Sequence, residues 1–358
     1  MSASADRVQP AGQAEARQHA TLRFAAGVTA AFVACEVMQW SPTFLAPVLT
    51  AVLLANLPMR PPLKMGLVLI VVMTAAALFA FALSSLLRGT PTVLFGLIGL
   101  CMFLSFLAML SGRQGLPFML LLVCLSTIPV VVMIAPAQAA ILPTALVRGI
   151  ALALAAIWIA YLPWPRTTPP TPKPPAAPNA ATPLTRALLS TAVVMPLMLV
   201  YLLFGLADVL PVLVATVMLV VNFDLQASRA QAMGMVVGNF AGGLLGLLLH
   251  ALLLTTPTLP FLALLLFLVL LGFGQRIAAG GPVAGVALIA CNAMLIIFSS
   301  AIASGPASLA LWLVRLSQFA LAGAFAVGMM NLLWHRAFRE RSAPPLSVPT
   351  DPDRSTPA

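Results

Sequence analysis

Long apolar runs follow one another along most of the chain, separated by short polar or proline-containing turns. A helix needs about 20 apolar residues to cross the hydrocarbon core of a bilayer, and roughly 17–25 are tolerated. By that measure the sequence predicts twelve spans, six in each half: 22–40, 43–57, 63–87, 91–110, 116–134, 145–162, 187–206, 208–222, 230–254, 259–274, 282–303 and 309–333. The pattern therefore predicts an all-α integral membrane protein.

The two halves of the chain share a repeated pattern. Three pairs of segments match at offsets that drift only from 164 to 167 residues: 44–52 with 209–217, aligned at Pro47 and Pro211, Gly115-Leu116-Pro117 with Gly280-Gly281-Pro282, and Leu146-Val147-Arg148 with Leu313-Val314-Arg315. Because each half has an even number of spans, both halves enter the membrane from the same side. We therefore predict two parallel six-helix repeats related by an axis along the membrane normal.

The regions between and outside the repeats are polar or rich in proline. The expected division is a cytoplasmic N-terminal tail over 1–21, a first repeat over 22–162, a linker over 163–186, a second repeat over 187–335 and a tail over 336–358. The linker contains too much proline to remain helical, so it is expected to be stiff and extended. The last segment has the composition of a disordered cytoplasmic tail.

Composition and charge agree with a membrane protein. Hydrophobic residues make up 61% of the chain and charged residues 7%, against roughly 45–50% and 25% in soluble domains. All of the 18 lysines and arginines except Arg88, Arg148 and Arg315 fall on one side if the N-terminus, the linker and the C-terminus are cytoplasmic. The net charge of +10 thus reflects membrane orientation, and no nucleic-acid partner is expected.

Arg148 and Arg315 are the sharpest candidates for binding. They occupy equivalent positions near the start of the sixth span of each half, away from the other positive charges. Intramembrane arginines usually face a bundle interior or a water-filled cavity, where they pair with an anion. The alternative is that each side chain snorkels to the nearby headgroups.

Proline and carboxylate residues complete the candidate site. Pro47 and Pro211 interrupt two short spans at matching places, which is the pattern of a transport site, although a proline in a first helical turn is also structurally harmless. Glu36 and Asp208 lie near the same membrane side as the arginines. They are candidates for relaying protons, or alternatively are interfacial residues or ion-pair partners.

Residues for enzymatic chemistry are scarce. The histidines are His19, His250 and His335, and the four cysteines stand singly in apolar runs with no metal-binding spacing. No Walker loop, H-E-x-x-H or G-x-S-x-G sequence occurs. We therefore expect a protein that is not an enzyme and that needs neither a metal nor a cofactor.

The segments 22–30 and 44–49, together with Trp40, resemble the fusaric acid resistance protein-like family, which includes bacterial aromatic carboxylic acid exporters. The resemblance implies an inner-membrane permease that exports organic anions, driven by protons and often working with a periplasmic membrane-fusion adaptor. It covers both predicted halves. Longer members carry a cytoplasmic helical domain after each set of six spans, where this chain has only its linker and tail.

Two further classes stay open on the sequence. A passive anion channel with its pore at the repeat interface would also use an arginine pair for anion selectivity. A membrane assembly protein or lipid-linked enzyme that transports nothing is the third class. Saturable, pH-dependent flux distinguishes the exporter from the channel, and the absence of any flux distinguishes the third class.

Overall fold

The computed structural model describes residues 5–57, 59–112, 115–165, 182–204 and 229–304, together with residues 317, 325, 328 and 329. Within these residues the chain is helical and forms no strand. Nine of the described helices are long and apolar enough to cross a membrane. The expectation of an all-α, multi-pass membrane protein is confirmed at this level.

The first half contains six apolar helices, of which α2 is short, and one single-turn helix. Their bounds are α1 Ala5–Val37, α2 Leu45–Asn56, α3 Leu63–Leu86, α4 Pro91–Leu110, α5 Gly115–Ile134, α6 Pro136–Ala139 and α7 Leu142–Ala160. In the second half the described helices are α8 Pro183–Phe204, α9 Arg229–Thr255, α10 Leu259–Ala279 and α11 Gly281–Ser304. The predicted spans 208–222 and 309–333 lie outside the described residues, so the count of twelve stays a prediction.

Several bounds differ from those expected from hydropathy, among them the following three. Helix α1 begins at Ala5 rather than at residue 22, because a stretch rich in Ala, Gln, Glu and Arg favours helix although it is too polar for the hydrocarbon core. Helix α10 continues to Ala279 and ends where Gly280 adopts a φ of 74°. The single turn α6 precedes α7, which itself starts earlier than expected, at Leu142.

Helix α2 is short and enclosed by α1 and α7. Its 12 residues extend over only about 18 Å, and all of its residues from Leu45 to Leu53 are buried. Leu45 lies against Gly149 near the start of α7, whereas Leu54 and Ala160 meet at Gly27 of α1. Helices α2 and α7 therefore run in the same direction, and α1 runs against them.

These directions define two ends of the helix bundle. The Trp40 end is where α1 ends and where α2 and α7 begin. The Tyr161 end is opposite, where α2 and α7 end and α3 begins. At the Tyr161 end the indole Nε1 of Trp158 donates a hydrogen bond of 2.9 Å to the carbonyl oxygen of Pro61, which fastens α7 to the start of α3.

The two halves pack against each other reciprocally. The first helix of the first half, α1, contacts α10, and the first helix of the second half, α8, contacts α4. Helices α4 and α10 are each the fourth predicted span of their half. Likewise, the third and fifth spans pair within both halves, as α3 with α5 and as α9 with α11. A pseudo-twofold relation between the halves would produce this arrangement.

Candidate functional site

Arg148 lies inside the bundle near the Trp40 end. It stands six residues after the first residue of α7, which places its Cα about 9 Å along the helix axis. Its side chain is partly buried, and its buried Nε atom has no hydrogen-bond partner among the described residues. A guanidinium donor held away from water without an acceptor is unfavourable.

The ring of Trp40 covers the guanidinium of Arg148. The Cζ atom lies 5.2 Å from the centroid of the indole ring, which is within the range of a cation–π interaction. Trp40 belongs to the turn between α1 and α2, where its amide nitrogen donates a hydrogen bond of 3.0 Å to the carbonyl oxygen of Cys35. The contact therefore joins α7 to this turn.

A small cleft adjoins the guanidinium; we name it the Arg148 cleft. It is lined by Arg148 and by residues of α1, α2, α7 and the first turn: Cys35, Trp40, Ser41, Pro42, Leu45, Ala46, Ala145 and Gly149. Its volume of about 10 Å³ is room for roughly one water molecule. In this conformation the cleft can expose the guanidinium to a water molecule but cannot hold an aromatic ring.

The close approach of α2 and α7 depends on Gly149. A Cβ atom at this position would lie 3.4 Å from the Cβ of Leu45 and 3.7 Å from the amide nitrogen of Ala46. The side chain of Cys35 also interacts with the backbone of Ala46. The first turn of α2 is thus held against both α1 and α7, directly beside the cleft.

Glu36 lies at the same end of the bundle as Arg148 but does not form an ion pair with it. Within the described residues, the carboxylate that approaches a basic group is that of Glu15, 4.0 Å from His19. The side chain of Thr43 hydrogen bonds to the Glu36 carboxylate, whereas the buried Oε1 atom has no partner among the residues that the structure describes. Glu36 is adjacent in sequence to Cys35, which lines the cleft.

The other predicted site residues are placed as follows. Pro47 is buried in the first turn of α2, where a helix leaves backbone N–H groups without partners and a proline is tolerated. It is next to Ala46 but does not itself line the cleft. Arg315, Pro211 and Asp208 lie outside the described residues.

A second arginine–aromatic contact lies at the Tyr161 end, between α1 and the end of α7. Arg23 of α1 is 5% exposed, and its Cζ atom lies 4.7 Å from the ring centroid of Tyr161. Its Nη1 atom donates a hydrogen bond of 2.7 Å to the carbonyl oxygen of Trp164. Arg23 therefore joins α1 to the end of α7 at the Tyr161 end, whereas Arg148 joins α7 to the turn after α1 at the Trp40 end.

Sequence reasoning did not find Trp40 or Tyr161 as partners of these arginines. The two residues of each arginine–aromatic pair are far apart along the chain. The hydrophobic periodicity of the sequence does not indicate which aromatic ring contacts an arginine several helices away. A signal was present in the aromatic residues at the span boundaries, where tryptophan and tyrosine are common. Within the described residues, no group of three or more His, Cys, Asp or Glu side chains could hold a metal ion.

The helices define a multi-pass α-helical membrane protein with a partly buried arginine between its spans. A family described as a protein of unknown function, DUF2955, matches residues 20–162. The matched segment runs from within α1 to just beyond α7, nearly the bounds of the first predicted repeat. Its description assigns no activity, so the link to fusaric acid resistance stays an expectation. No curated protein and no solved structure matches the chain.

Proposed function

We propose that this protein is a bacterial inner-membrane permease that exports small organic anions such as aromatic carboxylic acids in exchange for protons. The observation that carries the proposal is the guanidinium of Arg148, held between membrane helices with a buried Nε that has no hydrogen-bond partner in the described part of the chain. A charge inside the hydrocarbon core costs about 2.5–3.5 kcal/mol at a helix centre on insertion scales. A bound carboxylate offsets part of that cost.

The proposed substrate class rests on two groups that line the cleft, the guanidinium of Arg148 and the ring of Trp40. The planar fork of a guanidinium matches a carboxylate through two parallel hydrogen bonds. The ring of Trp40 already lies against this guanidinium and offers a face on which a substrate ring can stack. An aromatic carboxylate would use both groups at once.

Binding requires the cleft to widen. At about 10 Å³ it is far below the roughly 300–1,000 Å³ of small-molecule sites. The structure thus corresponds to a closed state in this proposal, and opening the Trp40 end separates the ring of Trp40 from Arg148. The contact between Arg23 and Tyr161 holds α1 to α7 at the other end during that movement.

Two parallel repeats complete the proposed transporter. Support comes from the reciprocal packing of α1 on α10 and of α8 on α4. Arg315, Pro211 and Asp208 would then supply the equivalent groups of the second half. A periplasmic membrane-fusion adaptor is the partner that the family resemblance adds.

Efflux from proteoliposomes tests this function. Vesicles loaded with benzoate, salicylate or 4-hydroxybenzoate should release at least one of these anions in a saturable manner, faster when a proton gradient is imposed. Arg148→Ala should reduce the rate about tenfold or more, because a hydrogen bond to a charged group contributes about 1.5–3 kcal/mol. Arg148→Lys should be intermediate, because lysine keeps the charge and loses the fork.

The control is Arg88→Ala, which removes an exposed arginine at the same end of the bundle. It should leave the rate unchanged at equal protein content. Wild-type efflux in Arg148→Ala would show that this side chain only reaches toward the headgroups. Flux that increases linearly with anion concentration and ignores the proton gradient would instead identify the passive anion channel.

A further inference from the structure

Helices α1 and α10 meet where both leave the membrane at the Tyr161 end. Arg17 precedes Val37, the last residue of α1, by about 30 Å along the helix axis, which is the thickness of the hydrocarbon core. On α10, Gln275 lies about 24 Å from Leu259. The backbone of Thr21 contacts Gly274, where a Cβ atom would come within 3.1 Å of the Thr21 carbonyl oxygen.

A groove opens beside this contact; we name it the α1–α10 groove. It has a volume of about 310 Å³ and is lined by Arg17, Gln18, Thr21, Leu22, Leu271 and Gln275. This volume is within the range of about 300–1,000 Å³ that small-molecule sites occupy. It is some thirty times that of the Arg148 cleft.

The residues that line the groove change from polar to apolar along the membrane normal. Arg17, Gln18 and Gln275 are exposed and polar, and they lie at the outer edge of the groove. Leu22 and Leu271 lie one turn deeper on their helices. A ligand that matches this order has an anionic, hydrogen-bonding group at the membrane surface and a hydrocarbon chain below it.

The charge of Arg17 is available to such a ligand. The neighbouring carboxylate on α1, that of Glu15, approaches His19 at 4.0 Å rather than Arg17. The side chains of Gln18 and Gln275 add amide donors that can bind phosphate oxygens. Basic pockets between transmembrane helices at a membrane surface commonly bind the headgroups of anionic lipids.

We propose that the α1–α10 groove is a binding site for one anionic phospholipid, whose phosphate lies at Arg17 and whose acyl chain lies along Leu22 and Leu271. The lipid would wedge between the first helix of one half and the fourth helix of the other. It would thereby fill a gap in the contact between the halves. This site is separate from the Arg148 cleft, which lies at the opposite end of the bundle.

Native mass spectrometry of the purified full-length protein tests the proposal. The probes are phosphatidylglycerol and phosphatidylcholine with identical acyl chains, titrated into protein stripped of lipid by detergent. Phosphatidylglycerol should show one site of higher affinity than phosphatidylcholine. Arg17→Gln should weaken that site about fivefold, because a basic residue near a membrane surface contributes about 1 kcal/mol toward an anionic lipid.

Arg60→Gln is the charge-matched control. Arg60 is exposed in the connection between α2 and α3, at the same end of the bundle and outside the groove. It should leave the strongest phosphatidylglycerol site unchanged. Equal effects of Arg17→Gln and Arg60→Gln would overturn the proposal, because they would show diffuse attraction by surface charge.

The apolar part of the groove has its own variants. Leu271→Trp should fill the groove and weaken phosphatidylglycerol binding with no change in charge, whereas Leu268→Trp changes an outward-facing position of the same helix and should not. Equal phosphatidylglycerol binding by Leu271→Trp and Leu268→Trp would overturn the placement of the acyl chain along Leu271.

Water-soluble glycerol 3-phosphate should fail to displace the lipid. Displacement by glycerol 3-phosphate at equal concentration would make the site one for free phosphates. Lipid binding and anion efflux are measured independently, so either proposal can fail alone.

Discussion

At the residue scale, Glu36 stands out because its carboxylate is only half satisfied. Thr43 hydrogen bonds to it, while no described residue is a partner of the buried Oε1 atom. The residue is next to Cys35, which lines the Arg148 cleft, yet it forms no ion pair with the arginine within the described part of the chain. A carboxylate so placed can exchange a proton without first breaking a salt bridge.

Glu36→Gln should therefore weaken the coupling of efflux to pH. Glutamine keeps the size and a hydrogen-bonding oxygen but cannot take up or release a proton in the working range. We expect efflux from proteoliposomes to lose most of its acceleration by an imposed proton gradient, while downhill flux of the same anion continues. Glu15→Gln, on the same helix and in the exposed pair with His19, should keep the full acceleration. If Glu36→Gln keeps it as well, the proton is carried elsewhere.

At the scale of elements, the packing of α9 on α11 depends on glycine. Gly238 and Gly246 approach Val286 and the backbone of Met294, and a Cβ atom on Gly242 would overlap the carbonyl group of Ala290. Small residues let transmembrane helices come this close. The two helices cannot keep their separation if Gly242 gains a side chain.

Gly242→Ala should accordingly lower thermal stability. Inserting a methyl group into a packed contact typically costs about 1–3 kcal/mol, so the midpoint of thermal unfolding in detergent should fall by several degrees. Gly272→Ala on α10 is the matched change, because among the described residues no atom of another helix lies within 4 Å of the added Cβ and alanine favours helix by up to about 1 kcal/mol. Unfolding midpoints that are the same in both variants would contradict the close contact.

The elements themselves were largely predictable from the sequence. Span bounds agree where proline or glycine marks a turn, as at Pro91, Gly115 and Gly281, because these residues end or begin helices by fixing the backbone. The start of α1 at Ala5 was not predictable from hydropathy, which reports burial in lipid rather than helix formation. The Arg148 cleft was predicted only through its arginine, because its ring partner, Trp40, depends on how α7 packs against a distant turn.

At the scale of the whole molecule, the reciprocal contacts of α1 with α10 and of α8 with α4 fit two units that face the same way. With the positive-inside rule, we expect the Tyr161 end to face the cytoplasm and the Trp40 end to face the periplasm. Arg60 lies at the former end and Arg88 at the latter.

Reporter fusions should show this topology. Alkaline phosphatase is active only in the periplasm, so a fusion after Arg88 should be active and fusions after Arg60 and Lys173 should be inactive. A fluorescent protein that matures only in the cytoplasm should give the complementary pattern. Alkaline phosphatase activity of the fusion after Arg60 or after Lys173 would show the opposite orientation, and it would remove the basis for export through the Trp40 end.

The depth of Arg148 also has an electrical consequence. Helix α7 has 19 residues and is about 28 Å long, so its arginine lies roughly a third of the way across the hydrocarbon core. Moving a unit charge through the whole membrane field involves about 2.3 kcal/mol per 100 mV, and reaching Arg148 from the nearer face therefore involves about 0.8 kcal/mol. In the proposed transporter, occupancy of the widened cleft by an anion should therefore depend on membrane voltage.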